Sequence, residues 1–275
     1  MKLISPSVIK ELLAKYETRP SKGLGQNFLI DKNILGKIIT ASDIKPTDTI
    51  LEVGPGIGTL TQELAKTAKK VIAIEKDQTM IEILKETLLD FKNVEVIPGD
   101  ILLNPKPYTL NPYKVVANIP YYLTSPLIRL LLEAENKPEL IVLLLQKEVA
   151  QRICAKPGDM SLLAVSVQFY AEPKIISYVS KNSFYPAPKI DSAIIKITPE
   201  LGGRRTSAQL FFKIVKAGFS QPRKQLAGNL STKLNLTKEE TLAWLSKNHI
   251  NPKQRAETLS VEDWKNLANS GKINI

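Results

Sequence analysis

The chain has 275 residues, of which 43% are hydrophobic and 24% charged, so its composition is globular and its length sufficient to bury a core. A single cysteine, Cys154, excludes an intramolecular disulfide, and a single histidine, His249, argues against a Ser-His-Asp triad or a multi-histidine metal centre. Lysine and arginine total 38 against 27 acidic residues, and the net charge of +11 favours polyanion partners, nucleic acid first and an anionic membrane second.

Helical spacing opens the chain, and strand and helix patterns alternate after it. Apolar residues recur at helical spacing over 9–16 and 34–39, on either side of a basic, glycine-containing loop at 19–25. Further strands are predicted at 49–53, 71–74, 94–97, 114–117, 140–145 and 192–197, and further helices at 59–66, 79–89, 126–133 and 147–155. Alternation of continuous apolar strands with helices predicts an α/β fold with a parallel sheet covered on both faces.

The pattern changes at a glycine- and arginine-containing stretch, residues 199–205, which we interpret as a linker. Only helices are predicted beyond it, and Thr237 with Glu240 and Ser260 with Asp263 form helix-capping signatures. The sequence therefore predicts a first domain over residues 1–202 and a small helical domain over 203–275.

A glycine-rich turn follows the strand at 49–53, in Gly54-Pro-Gly56-Ile-Gly58-Thr59. Glycines let the backbone approach a ligand closely, and the N-terminus of the next helix offers free N–H groups. Glu75 ends the next strand, where a carboxylate can accept both hydroxyls of a ribose. The dinucleotide fingerprint requires glycine where Thr59 stands, so the turn fits one nucleoside better than a pyrophosphate. The alternative is an ordinary tight turn without a ligand. Glu75 at the end of the next strand makes that alternative less favoured.

The next two strands also end in polar residues. Asp100 follows the third strand of the predicted sheet, and Asn118-Ile-Pro-Tyr121-Tyr122 follows the fourth. In an open parallel sheet, ligands bind outside the carboxyl ends of the strands, so these residues are expected to face one crevice. The Asn118 amide oxygen, a Pro120 carbonyl free to point into the crevice and the Tyr121 ring are expected to hold a planar base with an exocyclic amine.

A second proline-stiffened loop, Phe184-Tyr-Pro-Ala-Pro-Lys-Ile-Asp-Ser-Ala193, precedes the last predicted strand. A rigid aromatic ring at Phe184 would close the other side of a base, and a Phe buried under the sheet is the alternative. The residues alone leave both open.

Taken together, these segments make the chain resemble the ribosomal RNA adenine dimethylases, and among them those that act on small-subunit rRNA. The matching pieces, in family order, are Gly25–Leu29, Leu51–Thr61, Glu75, Gly99-Asp100, Asn118–Tyr122, Leu145–Ala150 and Phe184–Ser192. The resemblance implies a Rossmann-like S-adenosyl-L-methionine-dependent methyltransferase sheet, mostly parallel with an antiparallel last strand. It implies transfer of methyl groups to two adjacent adenosines in a hairpin loop near the 3′ end of 16S rRNA.

Matching by position also implies residue roles. The cofactor-binding residues would be Gln26, Asn27, Leu29, Gly54, Gly56, Glu75, Asp100, Ile101 and Asn118. Among these, Asn27 and Leu29 line the methionine end, Glu75 takes the ribose and Asp100 the adenine amine. The catalytic residues would be Asn118, Pro120, Tyr121 and Phe184: the first two accept the hydrogens of the target amine, and the two rings sandwich the target adenine. No metal is required, because the sulfonium methyl is already electrophilic.

Residues 201–238 carry many cations and no acid, and we expect them to contact RNA phosphates. The proposed RNA-binding residues are Arg204, Arg205, Lys213, Lys216, Arg223 and Lys224. A solvated helical face is the alternative. Two departures from the family pattern, a short segment at 159–163 and Pro222 within Ser220–Lys224, affect expected details of RNA docking.

The expected partner is the small ribosomal subunit, with no membrane and no metal, and the protein is expected to be a cytoplasmic monomer. No apolar run approaches the length of a membrane span, and the first residues contain no apolar stretch of signal-peptide length. Three rival functions stay open: an erythromycin-resistance-type enzyme for large-subunit rRNA, a non-catalytic ribosome assembly factor, and a nicotinamide-dependent oxidoreductase.

Overall fold

The computed structural model describes residues 1–103, 112–200 and 206–271. The helices are α1 (Pro6–Lys15), α2 (Lys32–Ser42), α3 (Thr59–Ala65), α4 (Gln78–Thr87), α5 (Thr124–Glu133), α6 (Lys147–Ile153), α7 (Leu162–Gln168), α8 (Ala208–Gly218), α9 (Leu226–Leu234), α10 (Lys238–Lys247) and α11 (Val261–Ser270). The strands are β1 (Phe28–Leu29), β2 (Thr49–Val53), β3 (Lys70–Glu75), β4 (Val94–Pro98), β5 (Lys114–Asn118), β6 (Leu140–Gln146), β7 (Ala171–Val179), β8 (Phe184–Tyr185) and β9 (Ser192–Pro199).

The chain divides into two compact units. Unit 1 comprises Met1–Ala150 and Ala171–Pro199, and unit 2 comprises Gln151–Tyr170 and Glu200–Ile275. Residues 151–170 thus group with the C-terminal helices, whereas the sequence pattern assigns them to the first domain. The proposed linker at 199–205 lies, from residue 201 onward, outside the described residues, and the boundary near 202 stays a prediction.

Unit 1 contains a seven-stranded sheet in the order β4-β3-β2-β5-β6-β9-β7. The pairs among β2 to β6 are parallel, and β9 is antiparallel to both β6 and β7. The predicted α/β fold, mostly parallel with an antiparallel last strand, is confirmed. The sequence pattern does not predict β7, because Glu172, Pro173 and Lys174 break its apolar run, as is common in edge strands.

The strand order fixes the position of the ligand crevice. After β2 the chain adds β3 and β4 on one side and then returns to add β5 and β6 on the other. The order therefore reverses between β2 and β5, and ligands of such sheets bind at this switch point beyond the carboxyl ends of the strands. Apolar residues 140–145 of β6 are all buried, as expected for a strand covered on both faces.

Unit 2 has its own aromatic core. The Phe169 ring stacks on Phe211 with centroids 3.9 Å apart and an interplanar angle of 23°. Trp264 is fully buried and lies so close to Gly218 that a Cβ built there would be 2.4 Å from Trp264 Cη2. Buried Asn229 donates to the carbonyls of Gly218 and Gln221 at 2.7 and 2.9 Å, and so fixes the turn between α8 and α9.

Candidate active site

The crevice of unit 1 lies at the switch point and is lined by the loops that follow four parallel strands. A fifth wall is the N-terminal loop that leads into β1, residues 24–29. All the predicted cofactor residues line this crevice: Gln26, Asn27, Leu29, Gly54, Gly56, Glu75, Asp100, Ile101 and Asn118. The sequence prediction that these segments meet agrees with the geometry, and their individual roles stay predictions.

The glycine turn and the N-terminal loop require glycine for two different reasons. Gly54, Gly56 and Gly58 have φ values of 67°, 59° and 91°, in the left-handed region that side chains disfavour. The N-terminal loop also packs tightly against the loop after β5, since a Cβ on Gly25 would lie 3.3 Å from Pro120 Cβ. Three loops therefore approach one another closely at the mouth of the crevice.

Glu75 is fixed by the backbone around it. Its Oε1 accepts the N–H groups of Lys76 and Asp77, both at 2.8 Å, and its Oε2 accepts the N–H of Gly56 at 3.1 Å. Burial raises the pKa of Glu75, while the three N–H donors oppose that shift. A carboxylate offers about four acceptor sites, so one remains available for a ribose hydroxyl.

Asp100 is held as an anion by a cation that the sequence prediction omits. Lys76 Nζ lies 2.9 Å from Asp100 Oδ2, and the N–H of Leu102 donates to Oδ1 at 3.0 Å. The hydrogen bond from Lys76 lowers the pKa of Asp100. An ionised acceptor of this kind suits an exocyclic adenine amine.

The amide of Asn118 is oriented by the N-terminal loop. Its Nδ2 donates to the carbonyl of Asn27 at 3.1 Å, which leaves Oδ1 as an acceptor in the crevice. Asn27 is itself held by a 3.0 Å bond from its Nδ2 to the Gly25 carbonyl. Gln26 uses both polar atoms within the protein, donating to Asp77 Oδ2 and accepting from the N–H of Ser21, each at 2.8 Å.

Pro120 differs from the expectation. Its carbonyl is not free, because it accepts the N–H of Leu123 at 2.9 Å in the 3-10 turn Tyr121–Leu123. One lone pair remains, so the carbonyl is a shared acceptor rather than an open one. Tyr121 lines the crevice, and its Oη lies 2.8 Å from Oγ of buried Ser192 on β9. Burial raises the pKa of Tyr121, so its hydroxyl stays protonated.

Phe184 is buried behind the N-terminal wall of the crevice and pairs with a residue that lines it. It is 4% exposed, pairs with Leu29 across β1 and β8, and belongs to a core cluster with Ile34 and Leu35. It does not belong to the lining of the crevice. The sequence leaves two alternatives open for Phe184, and in this structure the side chain is buried. Stacking of its ring on the target adenine stays a prediction.

Glu52 is a crevice residue that sequence reasoning passes over. It is 1% exposed in β2, lines the floor of the crevice, and its Oε2 has no hydrogen-bond partner. Burial raises its pKa to about 8. A charged residue within an otherwise apolar central strand is the signal that marks it in the sequence.

The proposed RNA-binding residues of unit 2 are partly described. Arg204 and Arg205 lie outside the described residues; Lys213 and Lys216 are exposed on α8. Arg223 and Lys224 belong to the turn before α9, where with Lys233 they line a cavity of about 490 Å³ whose lining includes no acidic residue.

A family model described as ribosomal RNA adenine dimethylase matches residues 17–272. The chain belongs to the ribosomal RNA adenine dimethylase family. A ribosomal RNA small subunit methyltransferase A from Dehalococcoides mccartyi is 47% identical over 94% of this chain and 90% of the relative.

Two solved structures share the fold at a TM-score of 0.74. A dimethyladenosine transferase from Plasmodium falciparum is 31% identical, covering 87% of this chain and 95% of its own. The 23S rRNA methyltransferase ErmE is 28% identical, covering 89% of this chain and 99% of its own. The predictions of a methyltransferase of rRNA adenine and of S-adenosyl-L-methionine as cofactor are confirmed at the level of the family.

Two other features are absent from the described residues. No group of three or more His, Cys, Asp or Glu side chains in the described ranges is placed to hold a metal ion. Among the same residues, no helix is long and apolar enough to cross a membrane.

Proposed function

We propose that the protein transfers methyl groups from S-adenosyl-L-methionine to the 6-amino groups of two adjacent adenosines in a hairpin loop near the 3′ end of 16S rRNA. The observation that carries the proposal is the convergence of Gly54, Glu75, Asp100 and Asn118 on one crevice. The first three suit a nucleoside cofactor, and the fourth presents an acceptor for an amine. When bound, the cofactor supplies an electrophilic sulfonium methyl.

The chain's own residues act by orientation. Asn118 Oδ1 accepts one hydrogen of the target amine, because its Nδ2 is committed to Asn27. The remaining lone pair of the Pro120 carbonyl accepts the other, and the two acceptors draw the nitrogen toward tetrahedral geometry. Orientation of this kind contributes up to about 7–11 kcal/mol in ideal cases. The methylated nitrogen is cationic and strongly acidic, so it would release its proton to water, and no general base with a shifted pKa is needed at the amine.

The small-subunit substrate is supported by the relatives. Eight curated relatives with 42–47% identity carry the name ribosomal RNA small subunit methyltransferase A. The large-subunit enzyme ErmE is less similar, at 28% identity. We therefore favour the small subunit as partner, with a role in its biogenesis, over large-subunit rRNA.

RNA contact outside the crevice is proposed for unit 2. The exposed cations Lys213, Lys216, Arg223 and Lys224 would bind phosphates, together with Arg204 and Arg205. We infer that the protein acts as a monomer, as the sequence predicts, and in the cytoplasm, where the ribosomal subunits of bacteria are assembled.

The test measures transfer of labelled methyl groups from S-adenosyl-L-methionine to small subunits that lack the modification, followed by digestion to nucleosides. We expect labelled dimethyladenosine from small subunits and none from large subunits, and we expect Asn118→Ala to lower turnover far more than it lowers cofactor affinity. Asn33→Ala, a change at the start of α2, is the matched control and should retain full turnover. Label in large subunits would favour the resistance-type enzyme. Tight small-subunit binding without any transfer would favour the assembly factor.

A further inference from the structure

An exposed aromatic side chain stands at the end of β7, close to the crevice edge of the sheet. Tyr178 is 52% exposed, although it lies in a strand of the main sheet. β7 and β6 are both antiparallel to β9, so β7 ends at the same edge as the parallel strands. The next residue, Val179, pairs with Ser192, whose Oγ is 2.8 Å from Tyr121 Oη in the crevice.

One cation lies over this ring, and two more follow it in the chain. Lys147 Nζ lies 5.2 Å from the centroid of the Tyr178 ring, within the range of a cation–π contact. Lys181 and Lys189 are also exposed nearby in the chain, and the N–H of Lys181 donates to Asp191 Oδ1 at 3.0 Å.

Acidic groups on these elements are fewer than the lysines. Asp191 and Glu148 are exposed beside the three lysines, and the Asp191 carboxylate is already an acceptor for the backbone. Lys147 belongs to the motif Leu145–Ala150, to which the proposed reaction gives no role. The patch thus combines a flat apolar ring with a small excess of positive charge, and this combination suits an unpaired nucleotide.

We propose that Tyr178, with Lys147 over its ring, is a stacking platform for a nucleobase that flanks the target adenosine in the rRNA substrate. This inference rests on the proposed function. An adenine amine reaches a crevice only when its base leaves the helical stack, and the neighbouring base then loses a stacking partner. The Tyr178 ring replaces that partner, and the Lys147 ammonium lies where it attracts the adjoining phosphate.

The binding test uses a fluorescent RNA hairpin that carries the two adjacent adenosines. Tyr178→Ala should weaken hairpin binding at least about fivefold, the low end for loss of one base–aromatic stack. Tyr178→Phe keeps the ring and should bind within about twofold of the native protein. Ile176→Ala is the matched control, because Ile176 is an exposed apolar residue of the same strand. Cofactor affinity, measured by calorimetry, should be unchanged in all three.

Two outcomes overturn the platform: hairpin binding of Tyr178→Ala equal to native, or equal losses in Tyr178→Phe and Tyr178→Ala. A photo-crosslink on the native protein gives a second test that does not depend on folding of a variant. A hairpin with 5-iodouridine next to the adenosines should crosslink to the peptide that contains Tyr178. Crosslinks confined to other peptides from every flanking position would also overturn the proposal.

Failure of the proposed function gives a different result. If the native protein labels small subunits while Tyr178→Ala binds the hairpin normally, the platform is wrong and the function stands. If the native protein labels neither subunit while Tyr178→Ala binds the hairpin weakly, the function is wrong and the RNA contact stands.

Discussion

Replacing Glu52 by glutamine tests whether the floor of the crevice buries a protonated carboxylic acid. Burial raises the pKa of Glu52 from 4.5 to about 8, whereas the unfolded chain ionises this group near its ordinary value. Between these two values the folded state holds a proton that the unfolded state has lost. The free energy of unfolding therefore falls as the pH rises through this window, by up to about 1.4 kcal/mol per pH unit.

Glutamine has nearly the same shape and no charge at any pH, so Glu52→Gln removes this slope. The free energy of unfolding of the variant, minus that of the native protein, should therefore rise by about 3 kcal/mol as the pH is raised from about 5 to about 7.5. Glu95→Gln is the matched control in β4 of the same sheet, where the Glu95 side chain is 51% exposed and paired with Lys70. The difference in free energy of unfolding between Glu95→Gln and the native protein should stay constant to about 0.5 kcal/mol over the same pH range.

The assay must follow unit 1. Both tryptophans of the chain, Trp244 and Trp264, belong to unit 2, so their fluorescence does not report on the sheet. Urea unfolding followed by far-ultraviolet circular dichroism at each pH reports on both units, and the part of the transition that tryptophan fluorescence does not follow belongs to unit 1. A difference between Glu52→Gln and native that is the same at both ends of the pH range would show that Glu52 is ionised in the folded protein.

Two further predictions concern packing and the site. Gly218→Ala should destabilise unit 2 by about 1–3 kcal/mol, because the added Cβ would collide with Trp264. Gly228→Ala should stabilise unit 2 by up to about 1 kcal/mol through helix propensity, because a Cβ there would have no atom within 4 Å. Tryptophan fluorescence in urea compares the two, and equal stabilities would refute the packing argument. Ser192→Ala and Tyr121→Phe each remove the 2.8 Å bond between these residues, so each should lower kcat of methyl transfer about fivefold, with cofactor affinity unchanged. The double variant should be no slower than either single one, and independent losses would contradict a shared bond.

The inner parallel strands β2, β3, β5 and β6 are predictable from the sequence because most of their residues are buried on both faces. Continuous apolar runs such as Leu140–Leu145 mark them without ambiguity. Three other strands are not predictable from the sequence, because they are formed by pairing with segments that are distant in sequence. They are the edge strand β7 and the two-residue strands β1 and β8. The grouping of residues 151–170 with unit 2 depends in the same way on a tertiary contact, Phe169 on Phe211.

The site follows a similar rule. Residues at strand ends, such as Glu75 and Asp100, are predictable because topology alone brings them together. Side-chain partners, such as Lys76 for Asp100, are not predictable, because the spacing of residues in the sequence does not determine the rotamer of a long side chain. The Pro120 carbonyl is predicted free and is not, because the turn type that uses it depends on the backbone around Leu123.

The interrupted sequence of unit 2 has a consequence for synthesis of the chain. Phe169 leaves the ribosome before β9 completes unit 1 at Pro199, and its stacking partner Phe211 follows later. At a synthesis rate of about 5–20 residues per second, Phe211 is synthesised roughly 2–8 seconds after Phe169, and the Phe169 ring lacks its stacking partner during that time. The nascent protein can therefore hold a finished sheet and an uncovered aromatic side chain at once. A chaperone that binds exposed aromatic residues should contact this chain in that interval, before α8 emerges.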